Sequence, residues 1–200
     1  MIAIVDYGVG NLFSLKQSLK QIGAESIVTS NHSEIERADR LILPGVGAFG
    51  DAAAKLKESG LNTVILKQCE GGKPLLGICL GMQLLFDCSY EYGKHKGLGL
   101  IKGEVLPLKN YVNGLKIPHM GWNSLKIIDN NPIFKTLPKN SYVYFVHSYF
   151  AKCEEGLSAT TDYGIEVTAA VRKNNIFGVQ FHPEKSGTVG LKILEEFNKV

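Results

Sequence analysis

The sequence predicts a three-layer α/β fold: a mostly parallel central sheet between helices, continued on one side by an antiparallel extension. Three observations carry this expectation. From Ile2 to Phe86, short apolar runs alternate with stretches of helical periodicity, the pattern of βαβ units. After about Gly97 the segments become mostly strand-like and are joined by turns. The 200 residues, 44% hydrophobic and 20% charged, suit one globular domain spanning residues 1–200 with a sizeable core of its own.

Taken in order, Ile2 to Val5 is an apolar run closed by Asp6, a buried strand. Leu12, Leu15, Leu19 and Ile22 repeat at helical spacing, and Gly23 supplies the stop. Ile27 to Thr29 reads as a second strand. Ser33-Glu34-Ile35-Glu36 has the spacing of a capping box and predicts a brief helix. Leu41 to Leu43 is a third strand, leading into Pro44-Gly45-Val46-Gly47. Residues 51–59 and 61–70 read as helices, Leu75 to Ile78 as a fourth strand, and Leu80 to Phe86 as a helix starting directly from it. Strands follow at Gly103 to Leu108, Leu115 to Ile128, Tyr142 to Phe150, Glu166 to Arg172 and Ile176 to Phe181, with Asn174-Asn175 as a hairpin turn. A last helix over 187–199 carries Leu191, Leu194 and Phe197 on one face.

A net charge of +3, from 22 basic and 19 acidic residues, is too small and dispersed to argue for nucleic acid. No apolar run approaches the roughly 18 residues of a membrane-spanning helix, and the N-terminus lacks the basic region of a secretory signal. The expectation is a cytoplasmic protein without a membrane partner. Cys69, Cys79, Cys88 and Cys153 show neither Cys-x-x-Cys nor metal-ligand spacing, so neither a zinc site nor a disulfide framework is expected. Cys69 and Cys88 are expected in apolar helical surroundings as small buried hydrophobes, and Cys153 at a loop or strand end.

Chemistry concentrates in three places. Gly77-Ile78-Cys79-Leu80-Gly81 has the form of a nucleophile elbow with Cys79 at its centre. Its glycines would let strand and helix approach closely. The helix N-terminus would favour a thiolate and present the Leu80 amide to an oxyanion. The same residues can also be plain packing between a strand and a helix. Phe181-His182-Pro183-Glu184 follows an apolar strand; residues two apart in an extended chain point the same way, so Glu184 could reach one ring nitrogen of His182 while the other faces a thiol. The alternative is a strand end with a solvated charge. Pro44-Gly45-Val46-Gly47 could present a backbone amide to a carbonyl oxygen, or be an ordinary glycine turn.

Together these pieces make the chain resemble the class I (triad-type) glutamine amidotransferases, with their flavodoxin-like three-layer fold. The match is closest to the glutaminase subunits of imidazole glycerol phosphate synthases. The closer likeness is carried by Asp6-Tyr7-Gly8-Val9-Gly10-Asn11, Pro44 to Gly50, Pro118-His119-Met120-Gly121-Trp122-Asn123 and Phe145-Val146-His147-Ser148-Tyr149, and runs from residue 1 to the last helix. The resemblance implies Cys79 as nucleophile, His182 as base and acid, Glu184 as its orienter, and the amides of Val46 and Leu80 as oxyanion hole. It implies Gln83, Gly47, Ser148 and Tyr149 as substrate contacts, and Asn11, Met120, Trp122, Tyr144 and Lys185 at a subunit interface. The implied reaction is hydrolysis of L-glutamine to glutamate and ammonia. A (β/α)8-barrel cyclase subunit would use the ammonia to make imidazole glycerol phosphate and an aminoimidazole carboxamide ribotide in histidine biosynthesis. No cofactor and no metal are implied.

The remaining histidines and aromatics receive structural readings: His32 and His95 as surface residues, His119 within the interface motif, and His147 near the substrate loop without a part in catalysis. Tyr142, Tyr144, Tyr149 and Phe150 are expected as core and pocket wall, and Glu154-Glu155 and Lys94-His95-Lys96 as solvated charges. The same glutaminase chemistry serving another synthase, such as a surface-sugar pathway, stays open. A Cys-elbow hydrolase of similar fold should lack the His-x-Glu pair, and a non-catalytic scaffold has no reason to keep all three triad residues.

Overall fold

Tetrapeptides rich in Ile, Leu and Val build the centre of the molecule. The computed structural model describes residues 1–200. Its first half runs β1 (Ile2–Val5), α1 (Leu12–Gln21), β2 (Ser26–Thr29), α2 (His32–Arg37), β3 (Arg40–Leu43), α3 (Phe49–Glu58), α4 (Leu61–Glu70), β4 (Leu75–Ile78) and α5 (Leu80–Gln83). The second half runs β5 (Cys88–Ser89), β6 (His95–Lys96), β7 (Gly103–Pro107), β8 (His119–Ser124), β9 (Lys126–Ile127), β10 (Tyr142–His147), β11 (Tyr149–Cys153), β12 (Leu157–Asp162), β13 (Glu166–Lys173), β14 (Ile176–Val179) and α6 (Gly187–Phe197).

An eight-stranded sheet has the order β2-β1-β3-β4-β14-β13-β12-β9, parallel as far as β14 and antiparallel beyond it. A four-stranded sheet, β11-β7-β5-β6, and a ribbon, β8-β10, complete the strands. Successive residues of β1 feed opposite layers, as the two-residue period of a strand dictates. Ala3 and Val5 pack with Ile35, Leu56 and Ile65 of α2 to α4 and with Val105 and Ala151 of the smaller sheet. Ile2 and Ile4 pack with Leu15 and Leu19 of α1, Phe145 of β10, and Leu194 and Phe197 of α6. This is the expected three-layer arrangement.

Local differences from the sequence reading have physical reasons. The helix at 32–37 is capped by Asn31, whose side chain accepts from the amides of Ser33 and Glu34; Ser33 lies inside the helix and forms no capping box. The helix after Cys79 ends at Gln83, not Phe86. The carbonyls of Leu84, Leu85 and Phe86 instead accept from the amides of residues 98–101. The strand foreseen over 115–128 is confined to β8 and β9, broken at the buried Leu125; Pro118, just before β8, has no N–H for a ladder. The run Tyr142 to Phe150 divides at Ser148 into two strands of different sheets, because the Ser148 carbonyl turns to accept from Leu108. The strand at 176 closes at Val179, short of Phe181.

The short strands β5 and β6 and the whole of β12 had no signal. In β12, Ser158-Ala159-Thr160-Thr161 is buried throughout, so it lacks the alternation that marks a half-exposed strand. Cys88 is a half-buried residue of β5, not a helical one. In α6 the inward face is Gly190, Ile193, Leu194 and Phe197, with Leu191 only partly covered. Tyr142, foreseen as core, is 57% exposed because it starts the outer face of β10.

Candidate active site

The nucleophile candidate sits where β4 becomes α5. Cys79 has φ 55° and ψ −110°, a sparsely populated conformation for a residue with a side chain, held by its amide donating to Val179 O at 2.8 Å. The flanking glycines are required by contact. A Cβ on Gly81 would lie 1.8 Å from the carbonyl oxygen of Leu43, and one on Gly77 would lie 2.7 Å from that of Gly81. The elbow can form only because strand, helix and β3 meet without side chains at those points. Leu80 opens α5, so its amide has no acceptor within the helix.

His182 arrives from the neighbouring strand. Its backbone is tied to β10 by its amide donating to Tyr144 O at 2.9 Å, and by Ser186 Oγ, which donates to His182 O and accepts from the Tyr144 amide. The ring Nδ1 lies 2.8 Å from Glu184 Oε1, with the two side chains 3% and 4% exposed. The reach from 182 to 184 is made by a 3-10 turn over Pro183–Lys185, not by an extended chain. His182 Nε2 and Glu184 Oε2 are buried without a partner in the protein. Burial opposes a charge on His182, but the Cys79 sulfur and the Glu184 carboxylate beside the ring outweigh it and hold its pKa well above the usual imidazole value.

Cys79 and His182 share a cavity of about 310 Å³ at the carboxyl edge of the parallel strands. Of the residues singled out from sequence, Val46, Gly47, Leu80, Gln83, Ser148 and Tyr149 also line it. Glu184 stands behind His182, beside a small second cavity bounded by Asn11, Gly45 and Val46. Three wall residues carried no prior assignment to the wall, Glu91, Pro118 and Val146, while His147 lines it as its place near the substrate loop led one to expect. Glu91 Oε2 accepts from the Phe49 amide at 2.6 Å, capping α3 from outside its own chain segment, which no local pattern could reveal. Pro44 is pinned by Tyr7, whose hydroxyl donates to its carbonyl oxygen at 2.7 Å in a buried site. Beyond it, neither the Val46 amide nor that of Gly47 makes a hydrogen bond within the protein.

The residues expected at an interface divide into two places. Met120 and Trp122 alternate along β8, and Val146 and Tyr144 face them across β10. Met120 is 64% and Trp122 56% exposed, the Trp122 and Tyr144 rings meet edge-on at 6.2 Å, and Lys185 Nζ lies 5.8 Å over Tyr144. Asn11 caps α1 by accepting from Ser14 and sits beside the His182–Glu184 pair. His119, although inside the same motif, points the other way: it is buried, stacked between Phe145 and Tyr163. His147 is likewise buried; His32 is exposed and His95 half-buried against Gly50.

Residues 3–199 match the family model of the class I glutamine amidotransferases. The chain belongs to that family. It is 54% identical over 201 residues to the imidazole glycerol phosphate synthase subunit HisH of Bacillus cereus (strain B4264), covering all of this chain and 95% of that one. To the protein of the same name from Caldanaerobacter subterraneus subsp. tengcongensis it is 50% identical, with 100% and 98% covered. A crystal structure of a glutamine amidotransferase superposes with a TM-score of 0.78 at 21% identity over the full length of both chains. PurLQS from Thermotoga maritima superposes with 0.77 at 21% identity, over 98% of this chain and 96% of that one. These structures share the fold. No helix is long and apolar enough to cross a membrane.

Proposed function

We propose that the chain is the glutaminase subunit of an imidazole glycerol phosphate synthase, working as one unit over residues 1–200. The observation that carries it is the shared cavity: Cys79 on a strained elbow and His182, backed by Glu184, open into a pocket walled by Gln83, Ser148 and Tyr149. Cys79 attacks the side-chain carboxamide carbon of glutamine, and the oxygen develops negative charge toward the amides of Val46 and Leu80. His182 takes the thiol proton and gives it to the leaving nitrogen; the C–N bond breaks, leaving ammonia and a γ-glutamyl thioester. Water then adds to the thioester, its proton taken by His182, and glutamate leaves with the thiol restored. Glu184 holds the ring so that Nε2 faces the thiol.

The ammonia passes to a (β/α)8-barrel cyclase subunit docked as a heterodimer on the Met120–Trp122–Tyr144–Lys185 face. There it completes imidazole glycerol phosphate and the aminoimidazole carboxamide ribotide in the cytoplasm. The full-length likeness to HisH proteins supports this choice of synthase. The test is Cys79→Ser in the complex. Glutamine-dependent synthesis should stop while ammonium still supports the cyclase. Glutamine use within about tenfold of wild type would show a different nucleophile.

A further inference from the structure

Tyr7 stands just past the end of β1, 5% exposed, and no step of the hydrolysis uses its hydroxyl. Burial, helped by the charge of Cys79, pushes its pKa above the usual phenol value, so the group is a neutral donor. Its one proton goes to the Pro44 carbonyl oxygen at 2.7 Å. Pro44 is buried, and that oxygen has no other donor in the protein.

The same hydroxyl also meets the next residue of the loop. A Cβ on Gly45 would lie 2.8 Å from Tyr7 Oη, 2.9 Å from the Gly81 nitrogen and 2.9 Å from Leu80 Cβ. The bare face of Gly45 therefore rests on the phenol and on the first turn of α5 together. Gly10, in the loop after β1, closes on the Pro44 ring, where a Cβ would lie 3.3 Å from Pro44 Cβ and Cγ. Burial ends at this point: Pro44 and Gly45 are buried, while Val46 and Gly47 are exposed. The two amides proposed for the oxyanion hole belong to the residues on either side of the contact. Val46 follows Gly45, and Leu80 touches it.

We propose that Tyr7 is a positioning residue that sets the separation of the Val46 and Leu80 amides, so that both reach one oxyanion. Two donors serve a single oxygen only when each stands about 2.7–3.1 Å from it, and a displacement on the order of 0.5 Å weakens the site. Without the hydroxyl, the Pro44 carbonyl is buried with no donor. Turning it toward water relieves this and carries Val46 away from Leu80. The ring itself belongs to the core that holds Leu43 and Leu80. The inference rests on the glutaminase reading and deepens it.

The test uses the full chain with its cyclase partner and that partner's nucleotide substrate. Tyr7→Phe should lower kcat for glutamine about tenfold, less than the loss of a whole donor, with KM within about twofold. Alkylation of Cys79 by iodoacetamide forms no oxyanion, so its rate and pH profile should not move. In the Val46→Pro background Tyr7→Phe should cost nothing more, because the amide it places is already gone. Tyr7→4-aminophenylalanine restores an N–H donor and should return kcat to within about threefold of wild type. Tyr7→4-fluorophenylalanine fills the space of the hydroxyl without donating, and should show the tenfold loss even if Tyr7→Phe fails to fold. A kcat near wild type in the variants without a donor, a shifted alkylation profile, or a loss that adds in full to that of Val46→Pro would overturn the inference while the glutaminase reading stands. A wild-type complex that hydrolyses no glutamine would overturn both.

Discussion

The His182 ring is buried, yet the thiol and carboxylate around it favour its charged form. Its pKa is therefore higher in the folded chain than in the unfolded one. The stability this contributes is complete below about pH 6.5 and is lost as pH rises through the raised folded value. Glu184→Gln weakens the charged form, so the gap in unfolding free energy between wild type and variant should be about 1–3 kcal/mol near pH 6 and shrink toward alkaline pH. Urea titrations across that range measure it; a gap independent of pH would mean that Glu184 packs but does not pair. In turnover, Glu184→Gln should leave a measurable remainder, while His182→Asn should be far more damaging and the double variant little worse. Both residues were legible because they stand two apart just after an apolar strand, in a chain that also carries a Cys elbow. Glu91 was not, because its role comes from a partner 42 positions away in the chain.

Elements show the same division. β1, β3, β4 and β14 were plain in the sequence because strands buried on both faces read as short continuous apolar runs. Segments that owe their shape to tertiary hydrogen bonds were misread. α5 stops after one turn because residues 98–101 claim its next carbonyls, and the strand foreseen over 142–150 splits because two sheets compete for it. The elbow lies between these cases: its pattern is local, but its necessity is a contact with β3. Gly81→Ala would set a methyl against the Leu43 carbonyl, where backbone on both sides has nowhere to go. It should cost more than about 3 kcal/mol, or prevent folding. Gly23→Ala, at φ +72° but with nothing within 4 Å, should cost only about 1 kcal/mol. Comparing their denaturation midpoints checks this, and equal costs would show that the strand–helix junction can relax.

At the scale of the whole molecule, the outer face of the β8–β10 ribbon and the catalytic cavity are two sides of one structure. Met120, Trp122 and Tyr144 face out, while His147 at the inner face lines the pocket and the Tyr144 carbonyl holds the His182 amide. A partner on this face is thus one strand away from both His182 and the pocket. Trp122→Ala should weaken docking by about 2 kcal/mol or more, the scale of an aromatic hot spot, in a titration with the cyclase subunit. The proposed oxyanion loop offers a further control point. Tyr7 fixes the Pro44 carbonyl, and a Cβ on Gly45 would meet Tyr7 Oη at 2.8 Å and the Gly81 amide nitrogen at 2.9 Å, so the loop is tight up to Gly45. The Gly45–Val46 peptide is the first plane beyond that anchor, and turning it over decides whether a carbonyl or an amide faces the thiol. In the proposed mechanism a carbonyl facing inward leaves only the Leu80 amide for the oxyanion, and one missing donor costs about 10²- to 10³-fold in kcat. The isolated chain should therefore hydrolyse glutamine very slowly and be strongly activated when its partner binds nucleotide substrate. Val46→Pro, which deletes the amide, should leave docking intact and remove most of that activation. An isolated chain already turning over at the stimulated rate would show that the hole is formed without the partner, and that control lies elsewhere.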